Sequence, residues 1–136
     1  MSNNKIVFTN RIKVRMHDTD LAGVIYFAKQ FRFAHDTWEE FLEEQGFSIH
    51  SLLREKDYSF AVVHAKADYF APLIAGDSLR VDLSVTGIGN SSFTTAFDIY
   101  KEDKKVGYVE IVFACIHQKT RLKHAVPMDI KGFLSS

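Results

Sequence analysis

Residues 17–27 read His-Asp-Thr-Asp-Leu-Ala-Gly-Val-Ile-Tyr-Phe, and the hydrophobic period of the chain changes across this stretch. Over residues 6–16 apolar and polar residues alternate loosely, which predicts a first strand interrupted at residues 9–10. Asp18 and Asp20 then precede a turn of small residues that leads into a helical pattern. A carboxylate placed just before a helix lies beside unpaired N–H groups and a positive dipole end. The stretch can therefore pair a nucleophile or base with oxyanion donors.

The pattern that follows predicts the one long helix of the chain, over residues 27–45. Phe27, Phe31, Ala34, Trp38 and Phe41 recur at helical spacing, and charged residues fill the positions between them. Gly46 is a typical residue at the C′ position, where a helix ends. A short second helix is expected over residues 48–56, with Ser48 as its N-cap.

Everything after the second helix has the character of β-strands joined by hairpins. The predicted strands cover residues 58–70, 79–86, 93–101 and 106–117, with a last short strand or continuation at 121–125 and a short tail from Pro127. The first of them is apolar on both faces, which is typical of a strand between two neighbours. One helix inserted into an antiparallel sheet of five or six strands predicts an α+β fold. With 136 residues, we expect a single domain spanning residues 1–136.

Composition excludes several classes of function. Lys plus Arg and Asp plus Glu number 17 each, so the chain lacks the basic excess of proteins that bind nucleic acid or anionic membranes. The start of the chain has no apolar core of a signal peptide, and no apolar run is long enough to span a bilayer. The single cysteine, Cys115, lies in an apolar run and cannot form a disulfide within the chain. The sequence therefore predicts a cytoplasmic protein without nucleic-acid or membrane partners.

The motif search leaves the two aspartates as the main candidates for chemistry. The pair Gly87 and Gly89 lacks the third glycine of a dinucleotide-binding loop, and no Gly-x-Ser-x-Gly motif is present. The six histidines show no paired ligand spacing, so no metal site is expected. On spacing alone, capping of a turn explains Asp18 and Asp20 better than catalysis does.

Residues 18–27 resemble the motif of the 4-hydroxybenzoyl-CoA thioesterase family, which is Asp-x-Asp-x-x-Gly followed by two aliphatic residues and an aromatic one. Members of that family have the hot-dog fold, an antiparallel sheet wrapped around one long helix. Residues 62–72, Val-Val-His-Ala-Lys-Ala-Asp-Tyr-Phe-Ala-Pro, followed by Gly76 and Asp77, are similar to a strand of the same family. This second stretch resembles most the branch that hydrolyses 1,4-dihydroxy-2-naphthoyl-CoA in quinone biosynthesis.

The resemblance implies roles for particular residues. Asp20 matches the catalytic carboxylate, and the backbone N–H of Phe27 matches the group that polarises the thioester carbonyl. Several bacterial members carry a histidine at the position of Phe27. Because this chain has phenylalanine there, the resemblance implies no second catalytic side chain. The expected substrate-binding residues are Tyr26, Phe31 and His64, and the residues expected near the phosphates of coenzyme A are Lys119, Arg121 and Lys123.

The resemblance also implies that no cofactor is needed and that the chain forms a homodimer or homotetramer with active sites between subunits. The expected reaction is hydrolysis of an aromatic acyl-CoA. Three alternatives stay open: a thioesterase for aliphatic acyl-CoA, a non-catalytic acyl-binding module, and a hydroxyacyl dehydratase. Hydroxyacyl dehydratases resemble one another in a His-bearing entry from strand to helix, and that feature is absent here.

Overall fold

The computed structural model describes residues 5–135, in which a five-stranded antiparallel sheet packs against one long helix. The strands are β1 (Ile6–Lys13), β2 (Tyr58–Tyr69), β3 (Ser78–Ile88), β4 (Ser92–Lys101) and β5 (Lys104–His117). The helices are α1 (Lys29–Glu44), α2 (Ile49–Glu55) and α3 (Met128–Leu134), and a 3₁₀ turn covers Met16–Asp18. The predicted long helix and the predicted order of strands are confirmed.

The strands lie in the order β1-β3-β4-β5-β2, so β1 and β2 form the two edges of the sheet. Each of the four pairs of neighbouring strands is antiparallel. The interpretation of β2 as a strand between two neighbours is wrong for the single chain, because within residues 5–135 β2 pairs with β5 alone. Its residues 62–66 are exposed. Apolar residues on both faces of an edge strand leave hydrophobic surface in water.

The core forms where α1 lies on the sheet. Trp38 of α1 stacks on Phe113 of β5, with ring centroids 4.8 Å apart, and it also contacts Phe93 and Phe60. These aromatic side chains bury large areas, which compensates for the run of glutamates near the unfavourable C-terminal end of α1. The helix ends as predicted, with Gly46 at φ +89°.

The C-terminal part departs from the predicted strand and tail. Residues 121–125 contribute only one isolated bridge, between Lys123 and Ile116 of β5. Residues 128–134 then form α3, whose Phe133 ring packs 5.3 Å from the ring of Phe41. Among the described residues, no helix is both long enough and apolar enough to cross a bilayer.

Candidate active site

The loop between β1 and α1 folds back on itself as a tight hairpin. We call residues 15–28 the Asp-x-Asp loop. Thr19 and Ile25 form an isolated antiparallel bridge, and the N–H of Asp20 donates to the carbonyl oxygen of Val24 at 3.0 Å. Gly23 closes the turn at φ +83°, a conformation that glycine adopts without steric cost. This hairpin fixes the backbone on which both aspartates stand.

Asp18 is fully buried and points back toward α1. Its two carboxylate oxygens accept from the guanidinium of Arg32, with Nη2 to Oδ2 at 2.8 Å and Nε to Oδ1 at 3.1 Å. The backbone N–H of Arg15 donates to Oδ2 at 2.9 Å. Arg32 also pairs with Asp36 one turn further along the helix. Asp18 therefore joins the start of the loop to the first turn of α1 through a two-pronged, charge-assisted contact.

The pKa of Asp18 reflects these contacts. Burial by itself raises the pKa of the carboxyl, but the hydrogen bonds from Arg32 and Arg15 and the charge of Arg32 outweigh it. The pKa consequently lies below its usual value, and the carboxylate is ionised at neutral pH. A carboxylate so fully engaged by donors is poorly placed for attack or for taking a proton.

Asp20 has the opposite environment. Its side chain is exposed, and its Oδ1 accepts a hydrogen bond from the N–H of Ala22 at 2.8 Å. The other carboxylate oxygen, Oδ2, has no partner among residues 5–135. One oxygen is thus oriented by the turn while the other stays free to react.

Phe27 lies two residues before the first residue of α1. Its N–H has no acceptor within the described part of the chain, whereas its carbonyl oxygen accepts from the Tyr69 hydroxyl at 2.6 Å. Burial raises the pKa of Tyr69, so this hydroxyl remains protonated and able to donate. The free N–H stands at the positive end of the helix dipole, where developing negative charge is stabilised. Tyr69 of β2 holds the adjoining peptide in place.

An apolar cleft of about 350 Å³ opens beside Phe27. Phe27 and Pro72 border it together with Tyr69 and Phe70, at and just beyond the end of β2. Tyr26 lies outside these walls, and its ring centroid is 4.8 Å from that of Phe27. Aromatic and aliphatic walls with few polar groups suit a flat hydrophobic ligand.

The remaining residues expected at the site lie apart from this cleft. Phe31 is half-buried and packs against the core. His64 is exposed on β2, five residues from Tyr69, which is roughly 16 Å along an extended strand. Lys119, Arg121 and Lys123 lie in the turn after β5, beside the start of β2 and therefore roughly 36 Å from its other end. Within one chain, neither His64 nor these basic residues reach the cleft.

Sequence reasoning missed two residues of the loop's surroundings, Arg32 and Tyr69. Arg32 carries a weak signal, because it is a basic residue beside the buried stripe of an amphipathic helix. Tyr69 contacts Phe27 across 42 positions of sequence, and no local pattern indicates that contact. A separate group of potential metal ligands, Asp57, His117 and His124, lies at the other end of β2.

Comparison with known proteins agrees with the resemblance read from the loop. A family model described as the thioesterase-like superfamily matches residues 14–134. A 1,4-dihydroxy-2-naphthoyl-CoA hydrolase from Prochlorococcus marinus (strain NATL2A) is 35% identical over 128 residues, covering 89% of this chain and 83% of that protein. A hydrolase of the same name from Nostoc punctiforme is 30% identical over 129 residues, covering 95% and 87% of the two chains.

Solved structures give the same answer. The crystal structure of a 1,4-dihydroxy-2-naphthoyl-CoA thioesterase from Synechocystis matches this chain with a TM-score of 0.87 at 28% identity. The match covers 93% of this chain and 94% of the other. The predicted α+β hot-dog fold and the predicted relationship are both confirmed. The chain belongs to the thioesterase-like superfamily.

Proposed function

We propose that the chain is an acyl-CoA thioesterase that hydrolyses an aromatic acyl-CoA to the free acid and coenzyme A. One observation carries the proposal: a single loop presents a carboxylate oxygen of Asp20 and the N–H of Phe27, neither of which has a hydrogen-bond partner among the described residues. The Phe27 end of this loop borders the apolar cleft. The family match and the two named hydrolases support the same class of reaction.

The chemistry needs little beyond these two groups. Asp20 either attacks the thioester carbonyl directly or takes a proton from a water molecule that attacks it. The carbonyl oxygen gains negative charge and is stabilised by the N–H of Phe27. The C–S bond then breaks and coenzyme A leaves as a thiolate. If water attacked, the free acid has already formed; if Asp20 attacked, a mixed anhydride remains, and water hydrolyses it to release the acid and restore the Asp20 carboxylate. A thiolate is a good leaving group, so this route requires neither a metal ion nor a strong acid.

Two observations support an aromatic acyl group. The relatives from Prochlorococcus marinus and Nostoc punctiforme are named for an aromatic, bicyclic acyl-CoA. The cleft beside Phe27 has aromatic side chains from Tyr69 and Phe70. We further infer a role in quinone biosynthesis, which the names of these relatives support. We also infer a cytoplasmic location, which is supported by the single cysteine, Cys115, being buried and free of any disulfide.

The exposed edge strand β2 supports assembly into a homodimer or homotetramer. Val62 and Val63 are 50% and 61% exposed, and the register of β2 against β5 shifts between Val62 and His64, so this edge leaves two adjacent apolar side chains uncovered. An unpaired apolar edge is usually covered in a native protein. A second copy placed there could bring its own His64, or its Lys119, Arg121 and Lys123, to the cleft of the first. Sedimentation at micromolar concentration should therefore show a dimer or larger, and a fully active monomer contradicts this assembly.

A panel of thioesters tests the proposed substrate. Free thiol is measured while the protein turns over benzoyl-CoA, 1,4-dihydroxy-2-naphthoyl-CoA, hexanoyl-CoA and acetyl-CoA. We expect kcat/KM for an aromatic substrate to exceed that for either aliphatic one at least tenfold, about 1.4 kcal/mol of transition-state binding. Equal rates favour the aliphatic or unselective alternative. Tight binding of all four substrates without turnover favours the acyl-binding module.

A further inference from the structure

The start of β2 and the end of β5 form a corner with the turn that follows β5. Tyr58 pairs with His117, and the N–H of Gln118 donates to the carbonyl oxygen of Asp57 at 2.8 Å. The chain then reverses, so that the N–H of His124 donates to the carbonyl oxygen of Cys115 at 2.9 Å. Three residues from separate segments thereby meet at this corner: Asp57, His117 and His124.

Their polar atoms face one another. One ligand atom from each of the three residues lies within 4.8 Å of the others. The rings of His117 and His124 are 4.5 Å apart between centroids, and Nε2 of His124 is 3.8 Å from Oδ1 of Asp57. Four ligands around a zinc ion at bond lengths near 2.0 Å are separated by about 3.3 Å. The Asp57 side chain is 81% exposed, so it can rotate to close the difference.

The hydrogen bonding of His124 fixes which of its nitrogens is available. Nδ1 lies 2.5 Å from the carbonyl oxygen of Ala125. A carbonyl oxygen only accepts, so Nδ1 carries the hydrogen and Nε2 of the neutral ring offers its lone pair on the side of Asp57. Metal-binding histidines in proteins are commonly oriented by a hydrogen bond of this kind.

We propose that Asp57, His117 and His124 bind a divalent transition-metal ion, with zinc as the best fit, and leave one coordination position open to solvent. Two imidazole nitrogens and one carboxylate form a donor set that zinc uses in proteins. Magnesium and calcium prefer sites built mainly from oxygen ligands, and a single carboxylate offers them little. The site is separate from the Asp-x-Asp loop, so the proposal does not depend on the proposed thioesterase reaction.

Hydrogen bonds of Gln118 hold the backbone of the corner around the three proposed ligands. The side-chain Nε2 of Gln118 lies within 2.9 Å of the carbonyl oxygens of Leu52, Lys56 and Tyr58. These contacts hold the backbone on either side of Asp57 and next to His117. The hydroxyl of Tyr58 is buried without a hydrogen-bond partner in the described part of the chain, and its ring lies 5.5 Å from that of His124. Buried polar groups left unpaired are rare in native proteins, and a polar partner bound at this corner would account for this one.

The charges nearby work against a cation. Lys119, Arg121 and Lys123 lie in the same turn, and Lys56 pairs with Asp129 at 3.9 Å. Salt screens this repulsion and also the attraction of the exposed Asp57 carboxylate, so zinc affinity is compared at one fixed ionic strength. The sequence predicts no metal site, because its histidines are not at short ligand spacing. His117 and His124 meet because the chain reverses after β5, which that spacing does not show.

Zinc titration of the tag-free full-length protein tests the proposal. After treatment with EDTA and removal of the chelator, ZnCl₂ is added in competition with a chromophoric zinc indicator. We expect one zinc ion per chain with a Kd below about 10 µM. His124→Gln should weaken binding at least tenfold, and His50→Gln, at an exposed histidine of α2, is the matched control and should leave it unchanged. Binding that His124→Gln leaves unaltered, or the lack of any saturable binding, overturns the proposal.

A second variant and a second readout guard against misfolding. Asp57→Asn alters an exposed side chain, so the variant should fold, and it too should bind zinc at least tenfold more weakly. Zinc at a hundredfold excess over Kd should raise the Tm of the wild-type protein by about 5 °C or more. Magnesium at the same concentration should leave the Tm unchanged. An equal rise in Tm for Asp57→Asn contradicts the assignment of this residue as a ligand.

Discussion

The Asp-x-Asp loop carries two aspartates whose surroundings differ: Asp18 is buried and Asp20 is exposed. Asp18 faces the protein, is fully buried and accepts hydrogen bonds from Arg32 and Arg15. Asp20 faces solvent, and within residues 5–135 its carboxylate accepts one hydrogen bond, from the N–H of Ala22. The hairpin geometry of the loop sends the two side chains to different sides although only Thr19 separates them.

The difference separates structure from chemistry. A buried carboxylate whose lone pairs accept from a charged partner stabilises the fold, because its removal leaves the partner's charge unpaired. A carboxylate with a free oxygen can attack a carbonyl or take a proton. The same contrast holds within Phe27, whose carbonyl oxygen accepts from Tyr69 while its N–H has no acceptor in the part of the chain that the structure describes. We call the groups held by the rest of the protein, the Asp18 carboxylate and the Phe27 carbonyl, the inner side of the loop. The Asp20 carboxylate and the Phe27 N–H are its outer side, which we propose supplies the reacting groups.

The largest expected effect belongs to Asp20. Asp20→Asn keeps the shape of the side chain and the oxygen that accepts from Ala22, but it removes the negative charge. We expect kcat for an aromatic acyl-CoA to fall roughly a hundredfold or more, the scale of losing a positioned acid–base group. The Tm should change by no more than about 1 °C, since the side chain is exposed. Steady-state release of free thiol and calorimetry measure the two quantities.

Asp103→Asn, in the turn between β4 and β5, is the matched control for loss of an exposed acidic group. Its kcat should equal that of the wild-type protein. Circular dichroism and gel filtration must show that Asp20→Asn folds and assembles normally. If this folded variant keeps near wild-type turnover, Asp20 is a turn residue and the proposed mechanism is wrong.

Asp18 should show the reverse pattern, with a loss of stability greater than its loss of rate. Asp18→Asn leaves the guanidinium of Arg32 without its buried charged partner. We expect the free energy of unfolding to fall by about 2 kcal/mol. The loss stays below that for a fully buried pair, because Arg32 is one-third exposed and keeps Asp36. Urea denaturation at fixed protein concentration measures it, and a rate loss as large as that of Asp20→Asn erases the distinction between the two sides.

The sequence was sufficient for the parts of the molecule that depend on local pattern. The change of period at residues 17–27 predicted where the long helix begins, and the N-cap role of Ser48 is confirmed by a hydrogen bond from the N–H of Ser51. The family motif singled out Asp20 and Phe27. Spacing alone could not separate Asp18 from Asp20, because their difference arises from contacts with α1.

The remaining features depend on which segments meet in space. Arg32 reaches Asp18 across the loop, and Tyr69 reaches Phe27 from the far end of β2. The edge position of β2 follows from the sheet order, which an apolar strand pattern does not encode. The tail from Pro127 forms α3 because Ile130 and Leu134 are buried in the core, so a seven-residue helix is stabilised by packing rather than by its own length.

The inner side of the loop can also be probed at Phe27. Tyr69→Phe removes the hydroxyl that donates to the Phe27 carbonyl and leaves the aromatic ring in the cleft. We expect kcat/KM to fall three- to tenfold, about 1 kcal/mol, because the peptide that adjoins the oxyanion donor is held less firmly. Tyr108→Phe on β5, which loses a 3.3 Å contact with Glu110, is the control. An equal loss in both variants means that the hydroxyl of Tyr69 has no special role.

The smallest expected effect is the pH dependence of the Asp18 contribution. The pKa of Asp18 is lowered in the folded protein: burial opposes the charged form, but Arg32 and Arg15 more than offset it. Its stabilisation is therefore fully present above the unfolded pKa, about 3.9, and is lost as pH falls through the lower, folded value. The gap in unfolding free energy between wild type and Asp18→Asn should stay constant from pH 7 to about pH 5 and narrow below about pH 4.

The gap is a better observable than wild-type stability alone. Asp77 also has a lowered pKa in the folded protein: burial raises it, but the N–H of Ile74 and the ammonium of Lys101 outweigh the burial. Protonation of Asp77 therefore also reduces the stability of the fold as pH falls below about 4. That contribution is common to wild type and Asp18→Asn, so it cancels in the difference. Urea denaturation of both proteins between pH 3 and pH 7 gives the gap at each pH. A gap that stays constant or widens in acid shows that the charge of Asp18 is not what stabilises the inner side of the loop.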